Sequence, residues 1–219
     1  MNKKDVVQII VIADRSGSMQ SIKTDAIGGF NAFIEKQQKL DGKAEVTLVL
    51  FDDKYEVVYK DKDISIVDKL DDKTFIPRGS TALYDAMGKT IATLNEERAD
   101  GNEAVMPEKV MFAIITDGAE NASTEFKRDT VMDQVKECKA KGWNFIYLCA
   151  DEKGLKDGQK IFGIGSTHAF TADTGGTCRA YQKMSQSVAS YRGDIGDVLD
   201  DAQVTHNIGD DDGQANGDS

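Results

Sequence analysis

Proline is nearly missing from this chain, with 2 among 219 residues, which excludes a proline-rich extended scaffold. Histidine is equally scarce: His168 and His206 stand far apart, with no cysteine or carboxylate at ligand spacing, so both read as structural or exposed residues rather than zinc ligands. Cys138, Cys149 and Cys178 form an odd set without a CxxC pair. That pattern excludes a disulfide framework and reads each thiol as a small core filler in a reducing compartment. Long apolar runs are lacking too. Val6 to Ala13 is interrupted by Gln8 and ends at Asp14, too short for a signal peptide or a membrane span. The expectation is a cytoplasmic protein with no membrane role. Gly88-Lys89-Thr90 has Leu83 where a P-loop needs its first glycine, and Gly163-Ile164-Gly165 does not open a helix after the first strand, which removes P-loop and dinucleotide sites. Positive charge is in deficit, 27 Lys and Arg against 38 Asp and Glu, for a net −11. Nucleic acid is therefore a disfavoured partner. The deficit is uneven: residues 194–219 hold eight Asp and no Lys or Arg, leaving −3 for the first 193 residues.

What is present is 40% hydrophobic residues arranged in alternating elements, enough for a sizeable core. The β-branched run Val6 to Ala13 lacks clean alternation and predicts a strand covered on both faces. Met19, Ile22, Ala26, Ile27, Phe30, Phe33, Ile34 and Leu40 then recur at helical spacing, with Gly28 and Gly29 calling for close packing or a bend. Ala44 to Phe51 and Tyr55 to Tyr59 predict an antiparallel pair across the Asp52-Asp53-Lys54 turn, with Glu56 and Lys60 guarding an edge. Residues 61–79 read as turns and loop anchored by Ile64, Ile66, Val67 and Leu70. A helix from Ser80 or Thr81 follows, and Asn95 to Pro107 reads as its end and a loop. Lys109 to Thr116, Trp143 to Ala150 and His168 to Thr171 predict strands. The stretches 124–141, 151–160 and 177–191 predict helices, in which Tyr181 and Tyr191 are packing residues. The order gives an α/β fold: a doubly wound, mostly parallel six-stranded sheet with one antiparallel edge strand, in a Rossmann-like three-layer sandwich. Residues 1–193 form the domain, and 194–219 an acidic tail expected to be partly disordered.

Three segments carry chemistry: Asp14-Arg15-Ser16-Gly17-Ser18 after the first strand, Gly79-Ser80-Thr81 at a helix start, and Asp117-Gly118 after the strand 109–116. In a parallel sheet, loops after strand C-termini share one edge, where open α/β sheets bind ligands. Two of the segments are such loops, and the third precedes a helix whose N-terminus can lie on the same edge, so Asp14, Ser16, Ser18, Thr81 and Asp117 are aimed at one place. The set is all oxygen and suits Mg²⁺, with Mn²⁺ or Ca²⁺ as further options. Each segment also has a plain alternative: a strand-to-helix turn with capping side chains, a helix cap, and an ordinary Asp-Gly turn.

The pattern D-x-S-x-S at 14–18, the threonine in GSTAL at 79–83 and the aspartate in ITDG at 115–118 resemble the von Willebrand factor A-type (VWA) domain. The likeness runs from residue 5 to about 191 and is stronger to small stand-alone bacterial or phage members than to integrin-type receptors. It implies a metal-ion-dependent adhesion site. Ser16, Ser18 and Thr81 would ligate Mg²⁺, Asp14 and Asp117 would hold it directly or through water, and an Asp or Glu of a protein partner would complete the shell. The acidic tail matches no motif of that family.

Around this set, Asp85 is a candidate for orienting a ligand or water, or else a carboxylate of the helix surface or of its N-terminal turn. Glu120 and Asn121 border the site or sit in a surface turn. Arg15 points outward to read a partner's charge, or is simply exposed, and Asp151 is a weaker rim candidate. The resulting expectation is a Mg-dependent protein-binding module rather than an enzyme. Its rivals are a metal-dependent phosphoester hydrolase and a metal-independent structural or assembly protein. Self-association through the acidic tail is a further option.

Overall fold

The computed structural model describes residue 3 and residues 5–100 and 106–193. Its strands are β1 (Val6–Asp14), β2 (Lys43–Phe51), β3 (Tyr55–Asp63), β4 (Lys109–Thr116), β5 (Asn144–Cys149) and β6 (Thr167–Ala169). Its α-helices are α1 (Lys23–Gln38), α2 (Leu83–Asp100), α3 (Arg128–Ala140), α4 (Glu152–Phe162) and α5 (Thr174–Arg192). The sheet order is β3-β2-β1-β4-β5-β6, and every neighbouring pair is parallel except β2 with β3. The six-stranded, mostly parallel sheet with one antiparallel edge strand is thus as expected from the alternation of apolar runs.

All nine residues of β1 are buried, because helices cover both faces of the sheet. Val7, Ile9, Val11 and Ala13 face the layer of α1 and α5, while Ile10 and Ile12 face α2, α3 and α4. In α1, Gly29 is the close-packing glycine: a Cβ there would lie 2.3 Å from the Tyr181 ring of α5. Gly28 has no such neighbour.

Several expectations need correction. The 3-10 turn Gly17–Ile22 precedes α1, so the first apolar stripe spans two elements. β3 continues to Asp63, four residues past Tyr59, because one face of an edge strand can be polar. Ile66 is 64% exposed and anchors nothing, whereas Phe75 is buried in its place. α2 runs through Asn95 to Asp100, where Lys141 donates to Asn95, Lys60 pairs with Glu97 and Arg98 donates to the Pro107 carbonyl. Cys178 is exposed and fills no core, unlike Cys138 and Cys149. The predicted tail, 194–219, and His206 lie outside the described residues. Among the described residues, no helix is long and apolar enough to cross a membrane.

Candidate metal centre

β1 is followed in the chain by β2 on one side of it and by β4 on the other side, so the winding of the sheet reverses between β1 and β4. A ligand crevice forms at such a switch point, beyond the strand C-termini. β1 ends on Asp14, β4 ends on Thr116, and Asp117 follows directly.

Ser16 Oγ lies 3.2 Å from Ser18 Oγ, and Ser18 Oγ donates to Asp117 Oδ1 at 2.7 Å. A methyl group built on Gly118 would sit 3.5 Å from Thr81 Oγ1 and 3.9 Å from Ser18 Oγ, so the two hydroxyls flank one spot. Asp14 Oδ1 accepts from the Ser16 amide at 2.6 Å, and its Oδ2 accepts from Thr116 Oγ1 at 2.5 Å. The three segments therefore converge. Asp14, Ser16 and Thr81 are buried, while Ser18 is exposed and Asp117 half-buried.

Burial pushes the Asp14 carboxyl up to about 6, the nearby Asp117 charge adds to the rise, and hydrogen bonds from Thr116 and Ser16 oppose it. Burial also raises Asp117, against its bond from Ser18. A cation between them would reverse this balance.

The other candidates have defined places. Asp85 is buried and accepts the amides of Thr124, Glu125 and Phe126 at 2.9, 2.9 and 2.7 Å. It is thus a carboxylate of the first turn of α2, buried rather than on the helix surface, and its bonds go to the loop backbone and not to the hydroxyl cluster. Glu120 accepts from the amides of Tyr84, Ala122 and Ser123 at 3.0, 2.9 and 2.7 Å, which ties its loop to the start of α2. Asn121 touches the set directly: its Oδ1 accepts from Thr81 N at 2.9 Å, and its own amide donates to Thr81 O at 3.0 Å. Asp151 caps α4 by accepting from Gly154 N at 2.7 Å. The outward-pointing Arg15 is a misreading. Arg15 is 2% exposed, with Nε 3.0 Å from Asp52 Oδ2 and Nη1 2.7 Å from Glu56 Oε2.

Sequence reasoning missed Thr116, Asp52 and Arg78. Arg78 Nε donates to Asp52 Oδ2 at 2.8 Å, so this buried carboxylate serves two guanidinium groups. The available signal was position: Asp52 directly follows β2 on the same sheet edge.

The donor set fits a hard cation. Neighbouring vertices of an octahedron with about 2.1 Å bonds lie about 3 Å apart. The Ser16–Ser18 and Ser18–Asp117 oxygen separations, 3.2 and 2.7 Å, fall around that spacing. Only two of the five donors are carboxylates, and among the described residues no group of three or more His, Cys, Asp or Glu could hold a metal ion. Any cation here depends on the hydroxyls.

No protein-family model and no curated protein matches the chain. Solved structures do. The pilus adhesin SpaC from Lactobacillus rhamnosus GG, in an open conformation, has a TM-score of 0.60 at 16% identity over 83% of this chain and 30% of that one. The vWF domain of the type V pili tip protein Mfa5 from Porphyromonas gingivalis gives 0.57 at 12%, over 84% of this chain and 95% of that one. Manganese-loaded TRAP protein from Plasmodium vivax gives 0.56 at 16%, over 81% and 72%. The chain spans less than a third of SpaC. These likenesses define the fold as that of von Willebrand factor A-type domains. They also overturn the cytoplasmic expectation, since the counterparts include a pilus adhesin and a pilus tip protein. The N-terminal apolar run and the free thiols behind that expectation are a central strand and, for two of the three cysteines, core packing.

Proposed function

We propose that the chain is a protein-binding module with a metal-ion-dependent adhesion site, in which Asp14, Ser16, Ser18, Thr81 and Asp117 hold Mg²⁺, with Mn²⁺ or Ca²⁺ as substitutes. The observation that carries this reading is the convergence of five oxygen side chains from three separate segments at the β1–β4 switch point. When bound, the cation supplies a coordination position for a carboxylate oxygen from an Asp or Glu of a protein partner. Asp14 and Asp117 provide the charge that balances it. Ser16, Ser18 and Thr81 provide neutral donors, Thr116 orients Asp14, and Asn121 holds the Thr81 backbone.

The hydrolase reading has less support. General acid–base work needs a carboxylate free to exchange a proton at the reacting centre. Asp85, Glu120 and Asp151 are each committed to backbone amides.

The test is a melt after EDTA treatment, with and without added Mg²⁺ or Mn²⁺. Metal at a hundred times its Kd should stabilise the wild type by about 2.7 kcal/mol. Asp117→Ala should abolish that response. A wild type indifferent to both ions would sink the proposal. Partner capture that persists in EDTA would move the choice to a metal-independent assembly protein.

A further inference from the structure

We infer that Asp52, acting through Arg15 and Arg78, is a positioning residue that fixes Thr81 against the Ser16–Ser18 loop and so sets the cation affinity of the site. This inference rests on the metal reading proposed above.

Asp52 is fully buried at the end of β2. One of its oxygens, Oδ2, receives Arg15 Nε at 3.0 Å and Arg78 Nε at 2.8 Å, while Oδ1 receives the Lys54 amide at 2.6 Å. Arg15 stands in the chain between Asp14 and Ser16, and Arg78 stands three residues before Thr81. The single carboxylate therefore ties together two of the three segments that supply donor oxygens. Backbone bonds run alongside the ion pairs. Arg78 N donates to Arg15 O at 2.9 Å, Gly17 N to Gly79 O at 3.1 Å, and Ala82 N to Asp52 O at 2.9 Å. Thr81 is thus bracketed by Gly79 and Ala82, both fastened to this assembly, and by Asn121 from the opposite loop. Gly79 has φ +63°, and a Cβ there would lie 2.0 Å from Asp53 Oδ1, so the turn before Thr81 is pressed onto the β2–β3 hairpin.

The arrangement is poorly suited to stability alone. Burying an ion pair often gains nothing over apolar packing. Arg15 Nη2 is also buried without a hydrogen-bond partner, an unmet donor that costs free energy. What the cluster achieves is register: two loops held at a fixed offset on either side of the hydroxyl pair.

Arg78 is the place to test this, because its side chain is 45% exposed and its loss leaves the Arg15–Asp52 pair intact. Free Mn²⁺ is followed by electron paramagnetic resonance in titrations of the full chain. Removal of an outer partner of a metal site weakens affinity by about tenfold or more. Arg78→Ala should do so while still melting cooperatively in EDTA, and Arg78→Lys should recover part of the loss. Amide exchange at Gly17 and Ala82 should quicken in Arg78→Ala without metal. If the wild type binds Mn²⁺ and Arg78→Ala binds it within about twofold as tightly, the positioning role is wrong and the metal reading stands. If the wild type and Asp117→Ala both fail to bind, the metal reading itself fails and takes this inference with it.

Discussion

Asp14 and Asp52 make an instructive pair. Both are fully buried, both belong to the same sheet edge, and they end or follow the adjacent strands β1 and β2, where Asp14 pairs in register with Phe51. Their surroundings differ in sign. Burial alone would raise the Asp52 carboxyl. The Arg78 bond, the Lys54 amide and the charges of Arg15 and Arg78 outweigh it and hold the group below the usual carboxylate range. Asp14 is met by a hydroxyl and an amide, both neutral, and the charge acting on it is that of Asp117, of its own sign, so burial wins and the group rises to about 6. Among the described residues, the chain thus supplies its own cations to one aspartate and only dipoles to the other. An aspartate with matched guanidinium groups is a fastening. One kept charged among neutral donors suits a counterion from outside.

The comparison is sharpened most by Asp52→Asn. Removing this charge leaves Arg15 buried with the half-exposed Glu56 as its remaining carboxylate partner, so a loss at the low end of the roughly 3–5 kcal/mol for a broken buried pair is expected. Urea melts in EDTA should show a loss of that order. A loss below about 1 kcal/mol would mean that Glu56 compensates Arg15 and that the fastening is weak. Next in size is Asp85→Ala, which strands the amides of Thr124, Glu125 and Phe126. About 1–3 kcal/mol is expected, because part of this loop can reach water. The same melts read it, and cation affinity should change less than in Arg78→Ala, since the three bonds lie beyond Asn121 on the loop.

The sequence announced some of these features far better than others, for a physical reason. β1 and β4 were plain because burial on both faces demands unbroken apolar runs. The shared edge of Asp14, Ser16, Ser18 and Asp117 was plain because loops after parallel strands must meet there, whereas Thr81 comes from a helix start. Features built from polar residues were harder to read. The lysines and aspartates at the end of β3 look like a turn, yet Lys60 reaches Glu97, and Asp61 accepts from Gln8 Nε2 and Thr47 Oγ1. The end of α2 is held by side chains from elsewhere rather than by an apolar stripe. Asp52-Asp53-Lys54 reads as an ordinary hairpin turn, and nothing local says that Asp52 faces two arginines 37 residues before it and 26 after it. Ion pairs between distant segments have no periodicity, so they become visible only when the fold has brought them together.

The smallest expected effect on stability is also the most discriminating. Asp14→Asn removes a buried charge that no group among the described residues neutralises, which favours the folded state. The new amide keeps both contacts: its Oδ1 accepts from the Ser16 amide, and its Nδ2 donates to the Thr116 hydroxyl, whose proton turns to the Gly118 carbonyl 3.1 Å away. Charged hydrogen bonds are exchanged for neutral ones as the unbalanced charge is removed, so in EDTA the variant should lie within about 1 kcal/mol of the wild type. On the proposed metal reading it should separate clearly in Mg²⁺, because the wild type would gain stability from the ion and the variant would have lost half of the carboxylate charge that balances it. A cost in EDTA as large as that of Asp52→Asn would make Asp14 a second fastening and erase the contrast. Near-neutrality in EDTA together with a lost metal response would establish that these two buried aspartates, one strand apart, are kept for different reasons.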